Sequence, residues 1–195
     1  MSNVAEQFIT WADYLAIERN SPVRHEWIGG AMFAMAGGSR LHNLLSLRLA
    51  SHLTDAGKPH GCETFMADMK VLTDEAAYYP DVMVVCDDLG NDEYFMETPC
   101  LIIEVSSPTT AEIDRREKWA AYSKIPSLRH YLLVSQTERL VDHRFRTELG
   151  WASELLRSGD TLTVSCPETT LSVDAIYEGL LDQSIPMQPG LEPGM

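Results

Sequence analysis

Three apolar segments, 62–72, 79–86 and 100–106, constrain the fold of this chain more than any other feature. Each segment is rich in β-branched or aromatic residues and is bounded by residues typical of turns, a pattern that indicates strands. We therefore expect the three segments to form adjacent strands at the centre of a sheet.

Helices and further strands are predicted on both sides of this centre. Thr10 and Ser39 are typical N-cap residues, and they precede predicted helices over 10–19 and 39–56. A hairpin is predicted over 25–36, because Gly29 and Gly30 can adopt the positive φ angles of a two-residue turn. The remaining pattern predicts helices over 111–124 and 173–181 and strands over 130–134, 140–145, 151–155 and 161–164. This order predicts an α/β or α+β fold around one mixed sheet.

Composition limits the kind of protein that this chain can be. Its 195 residues are 45% hydrophobic and 23% charged, which suits one globular domain over 1–183 with a Pro- and Gly-rich tail over 184–195. The formal net charge of −14 argues against a DNA-binding protein whose affinity rests on a basic surface. The sequence shows no pattern of a membrane helix or signal peptide, so we expect no membrane partner and a cytoplasmic location.

The four cysteines are Cys62, Cys86, Cys100 and Cys166. They are widely separated, they form no CxxC pair, and two of them lie inside apolar segments. This pattern is more typical of buried thiols than of a disulfide or zinc framework. We therefore expect reduced cysteines without a special role.

Two carboxylates indicate where chemistry could occur. Asp81 follows Pro80 at the start of one predicted strand, and Glu104 lies within the next one. Two carboxylates on neighbouring strands suit Mg²⁺ or Mn²⁺, which can polarise a phosphate oxygen and activate water. From residue types alone, a solvent-facing Asp81 and a Glu104 paired with a buried lysine or arginine are the commoner arrangement.

A wider set of residues resembles the Uma-two family of nucleases in the PD-(D/E)XK superfamily. The resemblance covers residues 8–182 and rests on Pro80-Asp81, on Glu104 to Pro108, and on Asp114, Lys118 and Tyr122 of the following helix. It implies a restriction-endonuclease-like α/β fold, in which helices flank a mixed central sheet with an αβββαβ core preceded by a helix and a hairpin. One position departs from the superfamily pattern, since Ser106 stands where the Glu-x-Lys motif would have lysine. The resemblance assigns that lysine's role to Lys118.

The same resemblance implies a metal-dependent endonuclease that hydrolyses phosphodiester bonds, with DNA as the expected substrate. Asp81 and Glu104 would hold Mg²⁺ or Mn²⁺, and Glu26 would complete the metal ligands as an upstream acid. Lys118 would orient water and stabilise the charge of the transition state. His42, which faces inward on its predicted helix, would hold a water molecule or a carboxylate.

Each of these assignments has a structural alternative. Asp114 and Lys118 could form an exposed helix pair that contributes a few tenths of a kcal/mol. Glu26 could be an ordinary charge at a hairpin edge, and His42 a core histidine with satisfied hydrogen bonds. Lys70, two residues after Asp68, is a second candidate lysine that we rank below Lys118.

The alternative function is that of a catalytically weak or inert family member that acts as a protein-interaction module. The acidic composition and the missing strand lysine motivate it. A basic strip around the cleft would favour the nuclease, whereas uniform acidity would favour the interaction module; the residues that could form the strip are Arg24, Arg40, Arg48, Arg115, Arg116 and Lys124. The sequence leaves a homodimer open.

Overall fold

The computed structural model describes residues 8–87, 90, 92–106 and 114–181. The predicted tail over 184–195 lies outside the described residues, as do 107–113, which include the start of the third predicted helix. No helix in the described ranges is long and apolar enough to cross a bilayer.

The first two helices and the last one begin within one residue of the predicted positions. Helix α1 (Trp11–Glu18) is capped by the Thr10 side chain, which accepts a hydrogen bond from the Asp13 N–H. Ser39 caps α2 (Arg40–Gly57) in the same way by accepting from the His42 N–H. A π-helical turn, Asp114–Lys118, continues into α3 (Trp119–Tyr122), and α4 is Val173–Tyr177. The two predicted N-caps are therefore confirmed.

The strands in chain order are β1 (His25–Ile28), β2 (Ala31–Ala34), β3 (Glu63–Met66), β4 (Lys70–Leu72), β5 (Ala76–Tyr78), β6 (Val82–Val85), β7 (Phe95–Met96), β8 (Leu101–Ser106), β9 (His130–Ser135), β10 (Leu140–Thr147), β11 (Gly150–Arg157), β12 (Thr161–Ser165) and β13 (Glu168–Ser172). Six of them form the central sheet in the order β11-β10-β9-β8-β6-β3. The β8–β9 pair is parallel and the others are antiparallel. This mixed sheet, with α2, α3 and the π-helical turn beside it, confirms the predicted αβββαβ core.

The remaining strands form two smaller sheets, of which one has the order β2-β1-β5-β4-β7 and the other pairs β12 with β13. The prediction of a single sheet was wrong in this respect. The predicted strand over 62–72 is interrupted at Asp68, whose φ of 90° lies in the left-handed region. The chain therefore turns there, and the two halves of the segment, β3 and β4, lie in different sheets.

The central sheet is covered on both faces. One face packs Leu45, Leu49 and Leu53 of α2 against strand residues that include Val82 and Ile103. The opposite face packs strand residues such as Ile102 against aromatic residues that include Tyr122 and Tyr131. Because successive side chains of a strand alternate between faces, Glu104 lies on the second face, beside Tyr122.

The four cysteines form two disulfides, Cys62–Cys86 and Cys100–Cys166. The prediction of reduced cysteines was therefore wrong. The β3–β6 register pairs Glu63 with Val85, so the preceding and following residues, Cys62 and Cys86, face each other with Cα atoms 4.0 Å apart. The β12–β13 turn brings Cys166 to Cys100, with a Cα–Cα distance of 6.0 Å. These contacts depend on strand register and chain path, which cysteine spacing does not reveal.

Candidate active site

Glu104 is at the centre of the candidate site. Glu104 is 3% exposed. Its Oε1 atom lies 3.2 Å from Lys118 Nζ and accepts a 3.0 Å hydrogen bond from the Tyr122 hydroxyl. Burying a carboxylate costs several kcal/mol unless charge or hydrogen bonds compensate it. The ammonium of Lys118 and the hydroxyl of Tyr122 provide that compensation.

Lys118 joins the central sheet to the five-stranded sheet. Its Nζ lies 3.3 Å from Oε1 of Glu26, which belongs to β1. That carboxylate also accepts a 3.4 Å hydrogen bond from the Tyr79 N–H, just after β5. The π-helical turn thus places one ammonium between acids of two sheets. The prediction that Lys118 lies near Glu104 is consistent with this geometry, and the alternative of an exposed Lys118 is excluded because the residue is 8% exposed.

Asp81 lies beside Glu104 at the same end of the sheet. The β6–β8 register pairs Val82 with Ile103, so one step further it places Asp81 opposite Glu104. The Val105 N–H donates a 2.6 Å hydrogen bond to Asp81 Oδ2, and Oδ1 lies 3.0 Å from His42 Nε2 in the first turn of α2. Contacts at both carboxylate oxygens therefore fix the orientation of Asp81.

The structure thus brings five predicted residues into one cluster: Glu26, His42, Asp81, Glu104 and Lys118. We call this cluster the carboxylate site. Three carboxylates and one ammonium give it a formal charge of −2 when the imidazole is neutral.

Two tyrosines beside the site are held in the protonated form. Burial, and secondly the charge of Glu104, raise the pKa of Tyr122 well above its ordinary value. Burial, and secondly the charge of Glu26, raise the pKa of Tyr78 to about 12. Both hydroxyls stay protonated at neutral pH, so Tyr122 acts as a donor to Glu104.

The donors of the site fit a hard divalent cation. Mg²⁺ is commonly held by one or two carboxylates together with water, and extending the β6–β8 register by one residue makes Asp81 and Glu104 neighbours at this end of the sheet. A cation of charge +2 would also balance the formal charge of the cluster. Within the described ranges, however, no three carboxylate or imidazole ligand atoms lie within 4.8 Å of one another, and Glu26 reaches Glu104 through the Lys118 ammonium. If a cation is held here, Asp81 and Glu104 are therefore its candidate ligands.

Lys70 occupies a different environment. Its Nζ lies 5.1 Å from the centre of the Tyr79 ring and 3.4 Å from the Tyr94 carbonyl oxygen. Burial lowers the pKa of Lys70. These contacts place its amine outside the carboxylate site.

Three of the six residues that could form a basic strip, Arg24, Arg48 and Lys124, pair with an acid, bind a helix end or lie among acids. Arg24 pairs with Asp68, and Arg48 donates to the carbonyls of Ala175, Ile176 and Glu178 at α4. A groove of about 680 Å³ extends from Tyr78 and contains Lys124 together with four acids. The acids are Asp74, Glu75, Glu97 and Glu117. The field of this groove therefore opposes the binding of a phosphate backbone.

Comparison with known proteins identifies the family. A family model named Uma2 and described as "Putative restriction endonuclease" matches residues 11–174. The chain belongs to the Uma2 family. Two relatives from Synechocystis sp. are similar along most of their length: the uncharacterised protein slr1290 is 34% identical over 172 residues (86% of this chain and 90% of the relative), and sll1609 is 33% identical over 142 residues (70% and 80%).

The fold has a counterpart among solved structures. The crystal structure of "a putative nuclease belonging to DUF820" from Anabaena variabilis matches with a TM-score of 0.73 at 17% sequence identity, over 87% of this chain and 97% of that one. The fold of the Uma2 chain is therefore restriction-endonuclease-like. Family and fold together point to a nuclease.

Sequence reasoning named Tyr122 as part of the motif but gave it no role, and it missed Tyr78 and Tyr79. A signal for Tyr122 was present, because it follows Lys118 by four residues and so lies on the same helical face. No comparable signal existed for Tyr78 and Tyr79, since they reach the site through the pairing of a second sheet.

Proposed function

We propose that this Uma2 protein is a cytoplasmic, Mg²⁺- or Mn²⁺-dependent endonuclease of the PD-(D/E)XK type that hydrolyses phosphodiester bonds in DNA. The observation that carries the proposal is the placement of the Lys118 ammonium 3.2 Å from buried Glu104, whose neighbour Val105 donates its N–H to Asp81. This arrangement supports a superfamily site whose lysine comes from the following helix instead of from position 106.

A divalent ion held by Asp81 and Glu104, with Glu26 as an auxiliary acid, would polarise the phosphate and lower the pKa of the attacking water. Lys118 contributes a fixed positive charge in a largely buried setting. Negative charge that develops on a phosphate during attack is stabilised by such a charge more strongly than it would be in water. Lys118 also orients the attacking water.

His42 and Tyr122 act as positioning residues in this proposal. Tyr122 holds one oxygen of Glu104, and His42 together with the Val105 N–H holds both oxygens of Asp81. Residues in the second coordination sphere fix the rotamers of metal ligands in this way. Loss of either partner is therefore expected to weaken metal binding.

A protein-interaction module is the second candidate. The acidic groove beside Tyr78 favours it, because four acids and one lysine attract a basic protein surface and repel nucleic acid. The two candidate functions differ in one observable property: only the nuclease would cleave a nucleic-acid substrate.

The test incubates purified protein with supercoiled plasmid, single-stranded DNA and RNA, with and without Mn²⁺. We expect Mn²⁺-dependent cleavage of DNA that falls about a hundredfold or more in Glu104→Gln and in Lys118→Ala. The matched control is Glu138→Gln, which removes an exposed acid that pairs with Arg157. A wild type that cleaves none of the substrates would favour the interaction module. The homodimer remains a prediction, and gel filtration tests it.

A further inference from the structure

All four cysteines of the chain meet at one end of the central sheet. Cys86 follows β6 and Cys100 precedes β8, whereas Asp81 precedes β6 and Glu104 lies near the end of β8. The cysteines therefore lie at the end of the sheet opposite to the carboxylate site. Cys62 joins them from the start of β3, and Cys166 from the turn between β12 and β13. We call these four residues the cysteine cluster.

The two disulfides of the cluster are in contact with each other. Cys86 Sγ lies 3.2 Å from Cys166 Sγ and 3.7 Å from Cys100 Sγ. The sulfurs of these three residues all lie within 4.8 Å of one another. In the described part of the chain, they are the one group of three or more potential ligand atoms that is this compact. Cys62 brings a fourth sulfur, because it is bonded to Cys86.

Three of the four sulfurs are already close to the spacing of a tetrathiolate metal site, and the Cys62 sulfur would have to move towards them. In tetrahedral zinc sites the Zn–S distance is about 2.3 Å, which places neighbouring sulfurs about 3.8 Å apart. The contacts between the two disulfides are already close to that value. Reduction frees the two sulfurs of each disulfide to separate by side-chain rotation.

We propose that the cysteine cluster, once reduced, binds one Zn²⁺ ion. Reduction by a phosphine transfers two electrons to each disulfide, and the phosphine takes an oxygen atom from water to become a phosphine oxide. The two protons of that water and the electrons convert each disulfide to two thiols. Zn²⁺ then replaces the four thiol protons and forms four Zn–S bonds. The metal links the same four chain segments that the disulfides link.

The surroundings favour zinc over the metals that the carboxylate site would take. Thiolates are soft ligands that select Zn²⁺, whereas Mg²⁺ and Mn²⁺ prefer carboxylates and water. Cys100 and Cys166 are 2% and 3% exposed, while Cys62 and Cys86 are only partly buried and provide a path for the ion. This zinc site is independent of the proposed nuclease function, because none of its ligands belongs to the carboxylate site.

The experiment uses the full chain carrying Asp81→Asn and Glu104→Gln, so that the carboxylate site does not bind the probe. The protein is reduced anaerobically with a phosphine and titrated with Co²⁺, and an oxidised sample serves as the control. We expect one Co²⁺ per chain in the reduced sample, with thiolate-to-cobalt charge transfer and the intense visible bands of tetrahedral coordination. Zn²⁺ should displace Co²⁺ and abolish these bands. The oxidised sample should show neither the charge-transfer absorption nor the visible bands.

Two further measurements make the test decisive. Cys86→Ser removes the sulfur that contacts both partners of the other disulfide, and it should reduce the cobalt signal by at least about tenfold, in line with losing a metal ligand. Zn²⁺ at a hundred times its Kd should raise the Tm of the reduced chain by about 5 °C or more.

If reduction unfolds the chain, zinc should restore its circular dichroism spectrum. The proposal is overturned if the reduced chain gives no tetrahedral cobalt spectrum, or if zinc neither raises the Tm nor restores folding. An equal cobalt signal in Cys86→Ser would also overturn it, because the ion would then be bound elsewhere.

Discussion

Replacing Lys118 by methionine should strongly destabilise the protein at neutral pH. The substitution keeps most of the side-chain volume but removes the charge that lies 3.2 Å from Glu104 and 3.3 Å from Glu26. The side chains of Glu104 and Lys118 are 4% and 11% exposed, so water cannot replace the lost ammonium effectively. Removing one partner of a buried ion pair costs about 3–5 kcal/mol.

The lower end of that range applies here, because Glu26 is 16% exposed and Tyr122 continues to donate to Glu104. We therefore expect Lys118→Met to lower the free energy of unfolding by about 3 kcal/mol at pH 7, which corresponds to a fall in Tm of about 6–12 °C for a domain of this size. Urea denaturation followed by circular dichroism, together with calorimetry, measures both quantities.

A double-mutant cycle separates the ion pair from the loss of packing. Lys118→Met combined with Glu104→Gln removes both charges, so the double mutant should regain at least about half of the lost stability. Additive losses in the cycle would refute the argument that Lys118 compensates Glu104.

Three further predictions follow from the site and its surroundings. At a Mn²⁺ concentration ten times its Kd, linkage gives about 1.4 kcal/mol, so Tm should rise by about 2–4 °C in wild type, and Asp81→Asn or Glu104→Gln should abolish most of this shift. Tyr122→Phe removes a hydrogen bond to a charged group and should cost about 1.5–3 kcal/mol, which chemical denaturation measures. Burial, and secondly His143, lower the pKa of His130 from 6.5 to about 4. The unfolded chain therefore binds the proton more readily, so stability falls as pH drops from 6.5 towards 4, and His130→Gln should flatten this slope in pH-dependent unfolding.

The sequence predicts the elements that depend on neighbouring residues. Thr10 and Ser39 cap their helices because each side chain accepts from an N–H three residues ahead, which a short pattern reveals. The central strands were found because their apolar side chains are buried on both faces. Glu104 was recognised as a candidate because it is a charged residue within such an apolar strand.

The parts that sequence reasoning missed depend on long-range register. Asp68 divides an apolar segment between two sheets by adopting a φ of 90°, and no residue type at that position requires it. The contact of Glu26 with Lys118 spans 92 residues and two sheets, and only the resemblance suggested it. The disulfides were missed because the registers of β3 with β6 and of β12 with β13 place their cysteines together.

The central claim is that Asp81, Glu104 and Lys118 form one metal-dependent site for phosphodiester hydrolysis. Single-turnover cleavage of end-labelled DNA with Mn²⁺ tests it most directly when wild type, Glu104→Gln, Lys118→Ala and Glu138→Gln are compared at temperatures where all are folded. Our account predicts wild-type rates for Glu138→Gln and a loss of about a hundredfold or more for the other two variants. Rates within a few fold of wild type in Glu104→Gln or Lys118→Ala would contradict it, because cleavage would then not use this site.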